Sequence, residues 1–176
     1  MSNLRLINET TVSASTSSVN VTDVFSADFD IYKITTNNFS TVGSNKTNLH
    51  IRFINSSGSV VTASNYDRAF FIMKSETTFS EVGDSNANLI QNFFANADQS
   101  PDFSSSVSYI FNPFSSSSYT FALVHADEHA GGVFRSKKNI AVLKQTASMT
   151  GFQLFENDTK PFDEGVIRTY GLRVDS

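Results

Sequence analysis

The sequence has no cysteine and no tryptophan, and only 3 of its 176 residues are proline. The lack of cysteine excludes disulfides, thiolate-ligated zinc, iron–sulfur clusters and thiol catalysis. Basic residues are also few: 13 Lys and Arg stand against 17 Asp and Glu, which gives a net charge of −4. Such a chain offers no basic field to attract a phosphate backbone, so we expect no nucleic-acid partner.

Long apolar segments are missing as well. No stretch approaches the roughly 18 apolar residues that span a bilayer, so no membrane partner is expected. The first nine residues lack the apolar stretch of a secretory signal peptide. A chain of this length is expected to form a single domain over residues 1–176, since domains commonly contain about 100–200 residues.

The chain is rich in small polar residues and in phenylalanine. Ser, Thr and Asn together make up 59 of the 176 residues, and there are 17 Phe. A hydrophobic content of 39% argues against disorder. Thr, Val, Ile and Phe interrupted by Ser, Asn and Gly are typical of strands joined by polar turns. We expect phenylalanine and aliphatic residues to face a core, and hydroxyl and amide groups to face outward.

Apolar and polar residues alternate along much of the chain. Leu49, Ile51 and Phe53, for example, fall on one face of a predicted strand. The continuous apolar run within residues 68–74 predicts a central strand that is buried on both faces.

A hairpin is predicted in the second half of the chain. Residues 107–111 and 119–125 both alternate, and the Asn112–Pro113 step between them ends the first strand because proline fixes φ. Eight to ten such strands predict an all-β chain that folds as an antiparallel β-sandwich of jelly-roll type.

One segment departs from the strand pattern. Leu89, Ile90, Phe93 and Phe94 follow the i, i+1, i+4, i+5 spacing of a helix face. The spacing predicts one short helix near residues 88–96, placed at the edge or end of the sandwich.

One cluster has the residue types of a metal site. His125, Asp127 and His129 share one side of an extended chain, and His50 is a possible further ligand. The alternative is a polar loop after a strand, which the following pair of glycines favours. Our prediction is therefore no metal, no other cofactor and no catalytic residue, with a metal-dependent enzyme as the remaining alternative.

Three aromatic residues fall in predicted loops. Tyr66, Phe103 and Phe114 are candidates for contact with a partner or a sugar. A loop aromatic is more often an anchor that packs its loop against the core, and this is the favoured interpretation for each of the three. A carbohydrate-binding module is a further alternative, although such surfaces favour tryptophan and tyrosine.

Several strand-like phrases, spread over most of the chain, resemble small virion proteins of tailed phages that infect marine bacteria, such as cyanophages and pelagiphages. The phrases are residues 6–10 with 24–34, residues 109–114 with 118–121, and residues 165–173. They contain no catalytic residues, so no site is carried over to named positions.

The resemblance implies a non-enzymatic structural protein with a sandwich fold, made in the host cytoplasm and located in the virion. Its expected partners are the major capsid protein or other virion proteins and further copies of itself, with a trimer suggested by capsid three-fold symmetry. Capsid decoration is favoured over a tail-fibre role because the chain has no heptad stalk. A host-glycan-binding module is the alternative function.

Overall fold

In the computed structural model, the described residues are 3–14, 16–42, 49–76, 79–94, 103–130, 132–156 and 160–173. Within these ranges the chain forms twelve β-strands and no helix. No helix of this part of the chain is long and apolar enough to cross a membrane.

The strands follow one another with short connections in most places. They are β1 (Leu4–Ser13), β2 (Ser18–Val21), β3 (Ile31–Thr41), β4 (Leu49–Asn55), β5 (Tyr66–Lys74), β6 (Ser80–Ala87), β7 (Ile90–Phe94), β8 (Ser104–Phe111), β9 (Thr120–Ala130), β10 (Val133–Leu143), β11 (Met149–Glu156) and β12 (Phe162–Leu172).

The strands form two antiparallel sheets. The larger has eight strands in the order β1-β12-β3-β8-β9-β10-β5-β6, and the smaller has four in the order β2-β11-β4-β7. Buried residues from both sheets form one hydrophobic cluster between them. The predicted all-β class with two antiparallel sheets is therefore confirmed, and so is the pairing of β8 with β9.

The chain passes repeatedly between the sheets. The first four strands alternate between the larger and the smaller sheet, and β7, β8, β11 and β12 also alternate. Two inserted pairs, β5–β6 and β9–β10, extend the larger sheet beyond β8. The larger sheet is therefore twice as wide as the smaller sheet that packs on it.

Aromatic side chains join the two layers. Phe53 of β4 stacks on Tyr66 of β5 with 6.4 Å between ring centroids, so this pair spans the interior from one sheet to the other. Phe25 contacts the ring of Tyr32 edge to face at 4.8 Å. Edge-to-face and offset pairs of this kind add to the free energy gained by burying the rings.

The predicted helix near residues 88–96 is wrong in its described part, which forms β7 (the last two residues lie outside the described ranges). Ile90 and Phe94 pair with Ile51 and Leu49, so five residues of β7 lie against three of β4. Asn92, which lies among the additional residues of β7, has a positive φ of 52°. Asparagine tolerates this conformation well. This bulge reproduces the helical spacing of buried residues within a strand.

The general expectation that hydroxyl groups face outward is wrong for β8. Ser104, Ser106 and Ser108 face the interior, while Tyr109 faces away from it. The inward hydroxyls find partners; that of Ser106 lies 2.6 Å from the Thr36 hydroxyl. Small inward residues suit this strand because antiparallel sheets pack about 10 Å apart, and bulky phenylalanines already fill that space from the smaller sheet.

The position of β5 also differs from the prediction of a doubly buried central strand. It lies next to the edge strand β6, and Phe71 on its outward side is 40% exposed. The other edge of the larger sheet is β1, whose pairing with β12 is interrupted by a bulge between Leu6 and Asn8.

Candidate functional site

The outer face, which is the side of the eight-stranded sheet turned away from the smaller sheet, carries a cluster of apolar side chains. Residues directly opposite each other in antiparallel strands project to the same side. The register of β8, β9 and β10 therefore sets six apolar residues in two rows of three. These six residues, here called the apolar patch, are Phe111, Phe121 and Val142 in one row and Tyr109, Leu123 and Ile140 in the next.

The apolar patch is open to solvent. The exposed fractions are 37% for Tyr109, 46% for Phe121, 47% for Leu123 and 58% for Ile140. A groove of about 650 Å³ runs over the patch, and its lining is almost wholly apolar. Contiguous exposed apolar surface of this kind marks interaction sites in folded proteins.

Both rows of the apolar patch continue across the rest of the sheet. On the side of β3, β12 and β1, the outward residues in register with them are Ile31, Leu172, Leu4, Tyr170 and Leu6. Lys33 on β3 interrupts one row, beside Tyr109. On the opposite side, Asp67 on β5 ends the other row beside Val142 and pairs with Lys144 at 2.8 Å. Lys33 and Asp67 thus flank the six-residue apolar patch in different rows, while apolar residues continue past Lys33 and Ile31 toward β1.

The outer face becomes polar toward the far end of β9. His125 Nε2 lies 2.8 Å from the Ser136 hydroxyl and 3.6 Å from an oxygen of Asp127. Both neighbours approach the same ring nitrogen, whereas a catalytic relay needs the carboxylate on the other nitrogen of the imidazole. This arrangement orients the ring but does not activate the hydroxyl.

The proposed metal ligands share a face, as their spacing predicts, because β9 continues through all three. His125 and His129 are nevertheless four residues apart on an extended strand, which separates their backbones by about 13 Å. Among the described residues, no group of three or more His, Asp and Glu is placed to hold a metal ion. His50, the possible further ligand, is buried on β4 in the smaller sheet.

The environment of His50 is unusual. Its Nδ1 accepts a hydrogen bond of 3.1 Å from the backbone N–H of Asn92, so this nitrogen carries no proton. Burial, followed by the charges of Arg68, Arg52 and Lys137, lowers the pKa of His50 from 6.5 to about 4. The ring is therefore neutral at physiological pH and serves as an acceptor that supports the bulge of β7.

A second buried polar group lies on the inner side of β9 and β10. The ammonium of Lys137 is 3.0 Å from Glu128 Oε2, and Arg135 approaches the other oxygen at 3.5 Å. Burial lowers the pKa of Lys137, while the charge of Glu128 raises it in part. The group is closed off from solvent, so it contributes to the interior of the sandwich and not to a surface site.

The three aromatic residues predicted in loops occupy different environments. Tyr66 is fully buried at the start of β5, so it anchors the core and is not available to a partner. Phe103 and Phe114 are half-buried, and the carbonyl of Phe114 accepts a hydrogen bond of 2.8 Å from Ser148. The structure does not bring these three side chains together.

The apolar patch was missed by the sequence analysis, although a signal for it was present. Residues 121–124 and 140–143 are apolar at consecutive positions, so both faces of each strand are apolar. The sequence interpretation assigned one face of each alternating strand to the core and the other face to solvent. A strand that is apolar on both faces indicates a second covered or coverable surface.

Comparisons with known proteins identify no family. No family model and no curated protein matches the chain. Among solved structures, the CBM2 module of an evolved Dit from Lactobacillus casei BL23 phage J-1 is 8% identical with a TM-score of 0.27, and the match covers 90% of this chain and 70% of that one.

Two structures of infectious bursal disease virus also match. The VP2 subviral particle and the Gx strain are each 10% identical with a TM-score of 0.14; both matches cover 96% of this chain, but 40% and 36% of the viral chains. Sequence identities and TM-scores this low support no conclusion about function.

Proposed function

We propose that this protein is a non-enzymatic structural component of a phage particle, most consistent with a capsid decoration protein, and that its outer face is an assembly surface. The observation that carries the proposal is the apolar patch, which presents Phe121, Leu123 and Ile140 to solvent on a rigid sheet. A protein that works through assembly needs such a surface, because burial of apolar area drives protein association.

The strand order supports the same proposal. If β5, β6, β9 and β10 are left out, the strand orders of the two sheets are β1-β12-β3-β8 and β2-β11-β4-β7. This interleaved order is that of an eight-stranded jelly roll, a fold used by viral capsid proteins among others. We propose that the chain is a jelly roll whose larger sheet is widened by two inserted strand pairs.

The sequence resemblance to marine phage virion proteins is the second support. Residues 165–173, one of the phrases that carry it, form most of β12, and residues 109–111 form the end of β8. These phrases supply outward residues such as Tyr109 and Tyr170. They thus contribute to the surface on which the proposed role depends.

The test is the composition of intact particles from the phage that encodes this chain. We expect mass spectrometry of gradient-purified particles to detect the protein in many copies, and a cryo-EM map to place it on the outer surface of the head. Detection at the tail would support the tail-fibre role in place of decoration. Absence of the chain from particles would contradict both placements.

A host-glycan-binding module is the second candidate. Tyr109 and Phe121 expose aromatic rings on adjacent strands of the outer face, and an open aromatic surface of this kind suits the apolar side of a sugar ring. A glycan array should then show binding that Tyr109→Ala and Phe121→Ala both reduce. Binding that survives both substitutions would remove the outer face from this role.

A further inference from the structure

We infer that the apolar patch is covered by a second copy of this chain, in a two-fold dimer formed face to face between the two eight-stranded sheets. The inference rests on the proposed role of the outer face as an assembly surface, and it names the partner. Packed sheets lie about 10 Å apart with nearly aligned strands, so one outer face can meet another over several strands.

The exposed area is sufficient for such a contact. A standard interface covers about 800 Å² on each partner, of which roughly 450–520 Å² is apolar. At about 200 Å² for each fully exposed large side chain, the four most exposed members of the apolar patch present roughly 380 Å². The half-buried Phe111, Val142 and Tyr170 lie on the same face and add to this area, which brings it toward the apolar area of a standard interface.

The apolar patch is self-complementary about its central strand. On β8 its side chains are the aromatic Tyr109 and Phe111, and on β10 they are the aliphatic Ile140 and Val142, at the same two levels. A two-fold axis parallel to β9 sets β8 of each copy on β10 of the other. Aromatic rings then meet branched aliphatic side chains in both directions, as a self-complementary two-fold interface requires.

The charges that bound the patch agree with the same axis. Lys33 lies two strands from β9 on one side and Asp67 lies two strands from β9 on the other. Within the described residues Lys33 has no ion-pair partner. The two-fold axis places Lys33 above β5 of the other copy, one row from the carboxylate of Asp67, which Lys144 of its own chain contacts at 2.8 Å, and repeats this proximity symmetrically. This match favours a dimer over the trimer that capsid symmetry suggests.

Sedimentation equilibrium of the full chain at several concentrations tests the dimer. We expect a mass of twice 19.3 kDa for the unmodified protein. Ile140→Lys places a charge in the apolar patch and should raise the dissociation constant by about 100-fold or more, since burying an unpaired charge is costly. Because Ile140 is exposed in the single chain, the circular dichroism spectrum of the variant should match that of the parent, and the thermal midpoints should agree at concentrations low enough for both proteins to be monomeric.

The matched control is Phe134→Lys. Phe134 lies on the same strand and the same face as Ile140, opposite His129 at the polar end, and is similarly exposed. This variant should remain a dimer. A monomeric parent protein, a trimer, or a dimer that resists Ile140→Lys would each overturn the inference, as would equal loss of dimer in both variants.

A charge exchange tests the symmetry axis directly. Lys33→Asp and Asp67→Lys should each weaken the dimer by about tenfold, and the double variant should recover most of the parent affinity. Failure of the double variant to recover would overturn the two-fold arrangement. These measurements are separate from the particle test: a solution dimer absent from particles contradicts the virion role alone, and a monomer found in particles contradicts the dimer alone.

Discussion

The phenol oxygen of Tyr66 joins the two sheets by accepting a 3.1 Å hydrogen bond from the backbone N–H of Phe53. The same hydroxyl donates to the carbonyl of Val61 at 3.0 Å. Tyr66 belongs to the larger sheet and Phe53 to the smaller one, so a single side chain satisfies two buried backbone groups and fixes the spacing of the layers at that point.

Tyr66→Phe should therefore destabilise the fold by about 1–3 kcal/mol, because it leaves a buried N–H and a buried carbonyl without this partner. Urea denaturation followed by circular dichroism measures the loss. Tyr109→Phe is the control, since its hydroxyl lies on the exposed outer face and its removal should change the free energy of unfolding by less than about 0.5 kcal/mol. Equal effects of the two changes would contradict the bridging role.

Acid should destabilise the protein through His50. Its folded pKa of about 4 lies below the ordinary value of 6.5, so the unfolded chain takes up a proton that the folded chain refuses. The associated stability is fully present above about pH 6.5 and is lost as the pH falls toward 4. The loss amounts to roughly 3 kcal/mol over this range.

The variant that tests the His50 prediction is His50→Asn, which retains an acceptor for the Asn92 N–H but does not titrate. Its free energy of unfolding should fall less steeply between pH 6.5 and 4 than that of the parent. Parallel curves for the parent and His50→Asn would disprove the assignment.

The buried pair of Lys137 and Glu128 should respond asymmetrically to substitution. Lys137→Met removes the nearest cation from the buried carboxylate of Glu128, and we expect a loss of about 3 kcal/mol. The double change Lys137→Met with Glu128→Leu should recover much of that loss, since an apolar pair of similar volume avoids desolvating charge. Chemical denaturation of the parent, Lys137→Met, Glu128→Leu and the double variant provides the double-mutant cycle, and simple additivity would show that the two groups do not interact.

Close packing around Gly171 gives a further prediction. A Cβ atom at this position would lie 2.5 Å from the Phe29 ring, whereas a Cβ at Gly83 on β6 meets nothing within 4 Å. Gly171→Ala should lower the free energy of unfolding by about 1–3 kcal/mol through overpacking. Gly83→Ala should be neutral or slightly stabilising, and thermal unfolding of both variants distinguishes them.

Alternation along the sequence was sufficient to predict the fold class, because a period of two marks strands wherever it occurs. It predicted the β8–β9 pair and the shared face of His125, Asp127 and His129. It did not predict β7, since the bulge at Asn92 gives the buried residues Ile90, Phe93 and Phe94 a helical spacing. The extra residue is a property of pairing with β4, which local patterns do not contain.

The candidate site was harder to predict than the fold. Alternation identifies two faces but not which of them meets the other sheet, and on β8 Ser108 faces the interior although hydroxyl groups were expected to face outward. The direction depends on how side chains of both sheets together fill the space between them, which the pattern of one strand does not contain. The apolar patch depends on that choice and on the register of three strands.

The two edges of the larger sheet decide how far such an assembly can grow. β6 exposes a run of polar and acidic residues, among them Glu81 and Asp84, and ends near Asn86 with a positive φ of 57°. β1 carries a bulge beside Leu6. Both devices discourage strand addition from neighbouring molecules. Growth by edge pairing would be open-ended and would give fibres. A face-to-face contact, in contrast, leaves no free face once two copies have joined. This chain should therefore form a closed oligomer of fixed size.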